Sequence, residues 1–264
     1  MLNVAIGQYY PASSPIHSLD PRLKLIYTFS FIALLFFITS ALGYVAASGL
    51  VALSIKMSGV PFRFILRGLR AMLFLLMFTV MLNVLFIPGE DLVFRFGIIS
   101  VYSEGLVRAA MMGVRLVLLL LCSSLLTLTT PPIELTAAIE FILTPLKKIR
   151  VPAAEIAMMM TIALRFIPTL IEEMDKIMKA QKARGADFET GGLIKKAKSL
   201  IPLLIPLFIS AFRRADELAM AMEARCYRPD APRTRMKVLR LARRDFVALA
   251  VICLFFGTIL LMRL

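Results

Sequence analysis

Residues 24–56 read KLIYTFSFIALLFFITSALGYVAASGLVALSIK. Between Lys24 and Lys56 no residue carries a charge. A helix needs roughly 20 residues to cross a bilayer, so this run is too long for one span. Ser40 to Gly43 sit near its middle. The stretch therefore predicts two short membrane helices, 23–39 and 42–56, joined by a tight turn. Each is slightly short for a bilayer, which local thinning or the tilt of neighbours accommodates. The composition points the same way. Of 264 residues, 59% are apolar and the mean hydropathy is +0.84, whereas a soluble domain is about half apolar. The net charge is nevertheless +14, so basic and apolar segments must be segregated along the chain.

Upstream, residues 1–22 are mixed and contain Pro11, Pro15 and Pro21. They do not read as a cleavable signal, which needs a basic start, a short apolar run and a small-residue cleavage site. His17, the only histidine, is expected to be an exposed surface residue. Downstream, residues 57–70 carry Arg63, Arg67 and Arg70 around Pro61 and are expected to form a basic loop. A third span over 71–88 ends at Pro88-Gly89. Glu90 and Asp91 open a loop containing Gly97, and the alternation from Val93 to Val101 suggests a short hairpin. The fourth span, 105–128, stops at Thr129-Thr130-Pro131-Pro132. Residues 1–132 thus form an N-terminal membrane part.

From 133 to 244 the character changes. This stretch holds 21 of the 31 Lys and Arg residues against 12 Asp and Glu, and its apolar residues recur at helical spacing. Residues 133–149 predict a short amphipathic helix with Ile133, Ala137, Phe141 and Leu146 near one face. Long helices are expected over 153–184, bent near Pro168, and over 193–225, bent near Pro202 and Pro206. These bends are either hinges or fixed. The loop Gly185 to Gly192 joins the two helices. A dense basic segment with Arg233, Arg235, Lys237, Arg240, Arg243 and Arg244 leads into a final membrane segment, 245–264, spanning about 246–262. Positive charge marks the cytoplasmic side. About five spans with every basic segment inside satisfy each loop, and 133–244 becomes a cytoplasmic module of long amphipathic coupling helices.

Those two long helices end alike. The first closes on Ala183-Arg184-Gly185 and the second on Ala224-Arg225-Cys226. In that register Glu172 and Glu173 match Arg213 and Arg214, so these charges can pair if the helices cross. Alanine keeps a helix tip thin, and arginine offers a planar fork that binds a carboxylate through two hydrogen bonds. The plain alternative is an arginine that complements the helix dipole and a glycine that caps the helix. Met158, Met159, Met160, Met174, Met178, Met220 and Met222 lie on the same helices. They are either core filling or a flexible surface for partners.

The Ala183-Arg184-Gly185-Ala-Asp-Phe and Met222-Glu223-Ala224-Arg225-Cys226-Tyr227 stretches resemble the transmembrane T component of energy-coupling factor (ECF) transporters. These are prokaryotic importers of vitamins and transition metals. The resemblance covers nearly the whole chain. It departs at Cys226, where the family usually has a second glycine. It implies two ABC-type ATPase subunits, each receiving one Ala-Arg tip, and a small substrate-binding membrane subunit contacting Met158, Met159, Met160, Met174 and Met178. It also implies a multi-pass protein of the prokaryotic cytoplasmic membrane with no cofactor, no bound metal and no catalysis of its own.

Other function classes find less support in the residues. No GxxxxGK[ST], HExxH or GxSxG motif occurs. Cys122, Cys226 and Cys253 are widely separated and suit neither a disulfide framework nor a zinc site. A self-sufficient secondary transporter or channel is the main alternative, and it needs ionisable residues at mid-membrane. Arg115 is the one charge well inside a predicted span. It shares a face with Arg108, and both are expected to reach Glu104 or the outer interface. Asn83 is placed to bond a neighbouring helix. Nucleic-acid binding is not expected, because topology and anionic lipid account for the basic charge.

Overall fold

A computed structural model describes residues 9–86, 92–96, 99–149, 152–188, 192–228 and 242–261. The expected features at Pro88-Gly89, Glu90, Asp91, Gly97 and Gly191, and the basic residues Arg233, Arg235, Lys237 and Arg240, lie outside them. Among the described residues the chain is all-α apart from one hairpin. Its helices are α1 (Pro21–Phe37), α2 (Ala41–Ser58), α3 (Phe62–Phe86), α4 (Ser103–Thr129), α5 (Pro132–Leu143), α6 (Ala153–Ala183), α7 (Leu193–Ala224) and α8 (Arg243–Leu261). Strands β1 (Leu92–Phe96) and β2 (Ile99–Tyr102) pair antiparallel ahead of α4, where the alternating pattern predicted a hairpin. The fold divides into two compact units, Met1–Ile142 with Leu239–Leu264, and Leu143–Val238.

In the first unit the uncharged run folds as expected into two helices. The Asp20 side chain caps α1 by accepting from the Arg22 N–H, and Pro21 occupies the first turn, where its missing N–H costs nothing. Ser40 caps α2 by accepting from the Gly43 N–H at 3.2 Å. Phe31, Leu34, Leu35, Ile38, Tyr44, Ala47 and Val51 pack with Leu118 and Ile259 into the main core. Around it, large apolar side chains such as Phe29, Val45, Phe74 and Leu254 point outward. An apolar core inside an apolar surface is the arrangement a lipid solvent favours.

Helices α2, α4 and α6 are long and apolar enough to cross a membrane, and α3 joins them if its bent halves, Phe62–Arg70 and Met72–Phe86, count as one span. Helix α1 has 17 residues, about 26 Å of rise, slightly under the roughly 30 Å hydrocarbon core.

Several expectations need correction. The stretch 57–70 is not a loop, because α3 already begins at Phe62. Pro61 starts it by accepting from the Phe64 N–H at 2.9 Å, and arginine is a good helix former, so charge alone does not break a helix. The predicted helix 133–149 stops at Leu143 and continues as a 3-10 turn, Thr144–Ile149. Pro145 lacks the N–H that an α-helical bond requires. The side chain of Leu146 lies outside the described ones. His17 is half-buried rather than exposed. Its Nε2 lies 3.0 Å from the Tyr10 carbonyl and its Nδ1 2.7 Å from Ser14 Oγ. A carbonyl only accepts, so Nε2 carries the proton in this contact.

Residues 9–20 form a cap over the ends of several helices. The Tyr10 N–H donates to the Leu128 carbonyl at 2.9 Å, and its ring packs on Phe64. Lys24, 5% exposed, donates from Nζ to the carbonyls of His17 and Thr129 at 3.1 and 3.0 Å. Asp245, 2% exposed, accepts from the backbone N–H groups of Asp20 and Ala242 at 3.0 and 2.7 Å. These buried charges join the starts of α1 and α8 to the end of α4. Sequence reading took Lys24 only as the border of an apolar run.

Arg115 has a specific partner set. Its Nε donates to the Tyr44 hydroxyl at 2.9 Å and its Nη2 to the Ile38 carbonyl at 3.2 Å. The guanidinium thus holds the α1–α2 turn. Arg108 pairs with Glu104 at 3.8 Å, so only one of the two arginines reaches that carboxylate. The Asn83 amide donates to the Thr79 carbonyl of its own helix, at 2.8 Å.

Candidate functional site

The second unit contains α6 and α7, each more than 30 residues long. Prolines 168, 202 and 206 lie inside these helices rather than ending them. The helices pack on one another, and a charged contact marks the crossing. Arg214 Nη2 on α7 meets Glu173 Oε2 on α6 at 2.8 Å, and the Ser210 hydroxyl donates to Glu173 Oε1. Ser210 and Arg214 are one turn apart, so a single carboxylate grips one face of α7. Glu172 and Arg213 are exposed. Ser210 was not singled out from the sequence, because a serine in a helix carries no signal of its distant partner.

From this contact both helices run the same distance to their tips. Arg184 lies 11 residues beyond Glu173, and Arg225 lies 11 residues beyond Arg214. At about 1.5 Å per residue, each arm extends about 16 Å past the crossing. Of the charges aligned in the sequence, Glu173 and Arg214 thus meet in space.

The tips themselves close identically. Arg184 ends α6 at φ −87°, and Gly185 follows at φ 86°. The Gly185 N–H donates to the Lys182 carbonyl and the Ala186 N–H to the Gln181 carbonyl, both at 3.0 Å. Arg225 ends α7 at φ −91°, and Cys226 follows at φ 55°. The Cys226 N–H donates to Glu223 at 2.9 Å and the Tyr227 N–H to Met222 at 3.0 Å. Both are Schellman caps, in which a left-handed residue turns the chain and satisfies the last carbonyls. Cys226 is the one non-glycine residue with positive φ among the described residues. It adopts the conformation glycine would, although its Cβ disfavours it.

All six tip residues, Ala183, Arg184, Gly185, Ala224, Arg225 and Cys226, are exposed. Each tip therefore presents a guanidinium on a narrow end, with its backbone bonds already closed. Of the seven methionines, Met159 and Met220 are exposed, and Met158, Met160, Met174, Met178 and Met222 are partly buried. Helix α7 adds an apolar exposed set that includes Ile205, Phe208, Ile209 and Phe212. Its 3.6-residue periodicity was legible, but which residues stay uncovered was not.

Comparison with known proteins agrees with this architecture. The family model described as "Cobalt transport protein" (CbiQ) matches residues 12–237. The energy-coupling factor transporter transmembrane protein EcfT of Clostridium kluyveri is 54% identical over 257 residues, covering 96% of this chain and 95% of that protein. Its counterpart in Ruminiclostridium cellulolyticum is 51% identical over 260 residues, covering 98% and 97%. The same-named protein of Thermosediminibacter oceani is 52% identical over 249 residues, covering 94% and 93%. With its apolar helical bundle and this similarity along almost its full length, the chain belongs to the family of energy-coupling factor transporter transmembrane proteins.

Proposed function

We propose that this chain is the coupling subunit of an ECF-type importer, carrying motion from two ABC-type ATPase subunits to a separate substrate-binding membrane subunit. The observation that carries this reading is the pair of exposed Ala-Arg tips, closed by the same cap and equally distant from one ion-paired crossing. Arg184 enters a groove on one ATPase and Arg225 a groove on the other, each against an acidic residue. The Glu173–Arg214 contact makes the two helices a single lever, so closure of the ATPases moves both arms together. Met158, Met159, Met160, Met174 and Met178 form the adaptable surface for the substrate-binding subunit. The chain does no chemistry and holds no cofactor. Its cargo, a vitamin or a metal, is chosen by the partner.

In this reading residues 1–132 and 245–264 are membrane parts, with about five crossings, and 133–244 is the cytoplasmic module of a prokaryotic plasma-membrane protein. Helix α6 is apolar enough to cross a membrane, but Glu172, Glu173, Asp175, Lys176, Lys179 and Lys182 crowd its C-terminal part, so we assign it to the module with α7. The basic composition of 133–244 supports that orientation. The fixed partners of Arg115 favour coupling over an independent transport pathway, since that side chain holds a turn. The test is a double charge reversal, Arg184→Glu with Arg225→Glu. Both ATPases should be lost from detergent-solubilised complexes, while the chain still inserts and extracts normally. Retention of the ATPases at wild-type stoichiometry would overturn the assignment of the tips.

A further inference from the structure

Within the first unit, a cavity of about 450 Å³ lies among α1, α2, α4 and α8. That is within the roughly 300–1,000 Å³ of small-molecule sites. Its wall is almost wholly apolar, and includes Phe31, Val51, Leu126, Ile252 and Phe255. Leu53 and Met57 of α2 and Val247 and Val251 of α8 also line it and are exposed, which places its mouth on the outer surface of the bundle. At one end the cavity meets Pro15 and Arg244. The same two residues line a second, open pocket with Ala12, Ser13, Ser14, His17 and Ser18. Arg244 Nη1 donates to Ser18 Oγ at 2.7 Å, which holds the guanidinium at the junction. The nearby carboxylate of Asp245 does not line either pocket and is bound to two backbone N–H groups.

An apolar cavity with a guanidinium at one end has the polarity of one amphiphile. We propose that it holds an anionic phospholipid, with an acyl chain in the cavity and its phosphate on the Arg244 guanidinium. The site lies where α1 and α8 begin and where α2 and α4 end. In the orientation proposed above, that is the inner leaflet, whose anionic lipids draw basic residues. The lipid would tie the cap 9–20 to α8, so it belongs to the assembly of the bundle rather than to the Ala-Arg tips.

The test uses the full chain, purified in mild detergent with its co-purifying subunits, delipidated, and supplied with phosphatidylglycerol or with phosphatidylcholine of the same acyl chains. Native mass spectrometry counts the lipid retained. Phosphatidylglycerol should be held in preference to phosphatidylcholine. Arg244→Gln should weaken its retention about tenfold, the effect of losing a charged hydrogen-bond donor. Ala248→Phe, which fills the cavity from α8, should displace both lipids. If that variant does not fold, Arg244→Gln, at an exposed position, decides the case. Excess inorganic phosphate should not displace the lipid. Equal retention of the two lipids, equal retention by wild type and Arg244→Gln, or displacement by phosphate alone would overturn the proposal. So would a photo-crosslinker at position 248 that captured a partner polypeptide in place of lipid. Lipid retention is read without reference to the ATPases, so its failure is separable from failure of the coupling reading.

Discussion

Cys226 and Gly185 occupy equivalent places after the two tip arginines, at φ 55° and φ 86°. A side chain in the left-handed region costs roughly 1–2 kcal/mol, and glycine escapes most of it. Nothing lies within 4 Å of a Cβ added at Gly185, so conformation alone sets the cost there. Gly185→Ala should therefore destabilise the α6 tip by about 1 kcal/mol, and Cys226→Gly should stabilise the α7 tip by a similar amount. Amide hydrogen exchange at Ala186 and Tyr227, whose N–H groups close the two caps, would read both effects. Exchange should quicken at Ala186 in the first variant and slow at Tyr227 in the second. The sequence placed the arginine and the turn residue, because capping is a local matter of about six residues. It left open whether Cys226 would take the strained conformation. The structure answers this: the cap's hydrogen bonds form anyway.

At the scale of elements, α6 and α7 act as a pair because one carboxylate binds two side chains of the opposite helix. Both ion-pair side chains are less than a third exposed, so solvent screens the contact only in part. Removal of Glu173 leaves Arg214 and Ser210 without their acceptor and should cost about 1.5–3 kcal/mol. A double-mutant cycle of Glu173→Ala and Arg214→Ala, read as thermal stability of the solubilised protein, should show a coupling of at least about 0.5 kcal/mol. Additive losses would mean the contact contributes nothing as a pair. The helices themselves were legible from apolar periodicity, and their ends from the Ala-Arg signals. Two boundaries were misread for physical reasons. The arginines in the first turns of α3 read as loop because charge is a sign of exposure, not of backbone conformation. Pro145 inside 133–149 was passed over although it lacks the donor that an α-helix needs.

Over the whole molecule, the first unit depends on polar groups buried at one end of an apolar bundle. Asp245 joins α8 to the chain start across a sequence separation of 225 residues. Asp245→Ala would orphan the N–H groups of Asp20 and Ala242 and should cost about 2–4 kcal/mol. Limited proteolysis in detergent should then cut more readily near residues 9–20 and in front of α8. An unchanged proteolytic pattern would mean that apolar packing alone holds these segments. By itself the sequence determined that the chain is a membrane bundle with a charged helical segment ending in two matched arginine tips. Hydropathy, helical period and capping act over one element at a time, so they are readable along a string. Only the tertiary structure decided that Lys24 bonds the end of α4, that Arg115 holds the α1–α2 turn, and that Arg244 stands at the end of an apolar cavity beside Ser18. Each of those depends on groups 70 or more residues apart meeting in space, and a lone charged residue carries no local mark of the partner it will find.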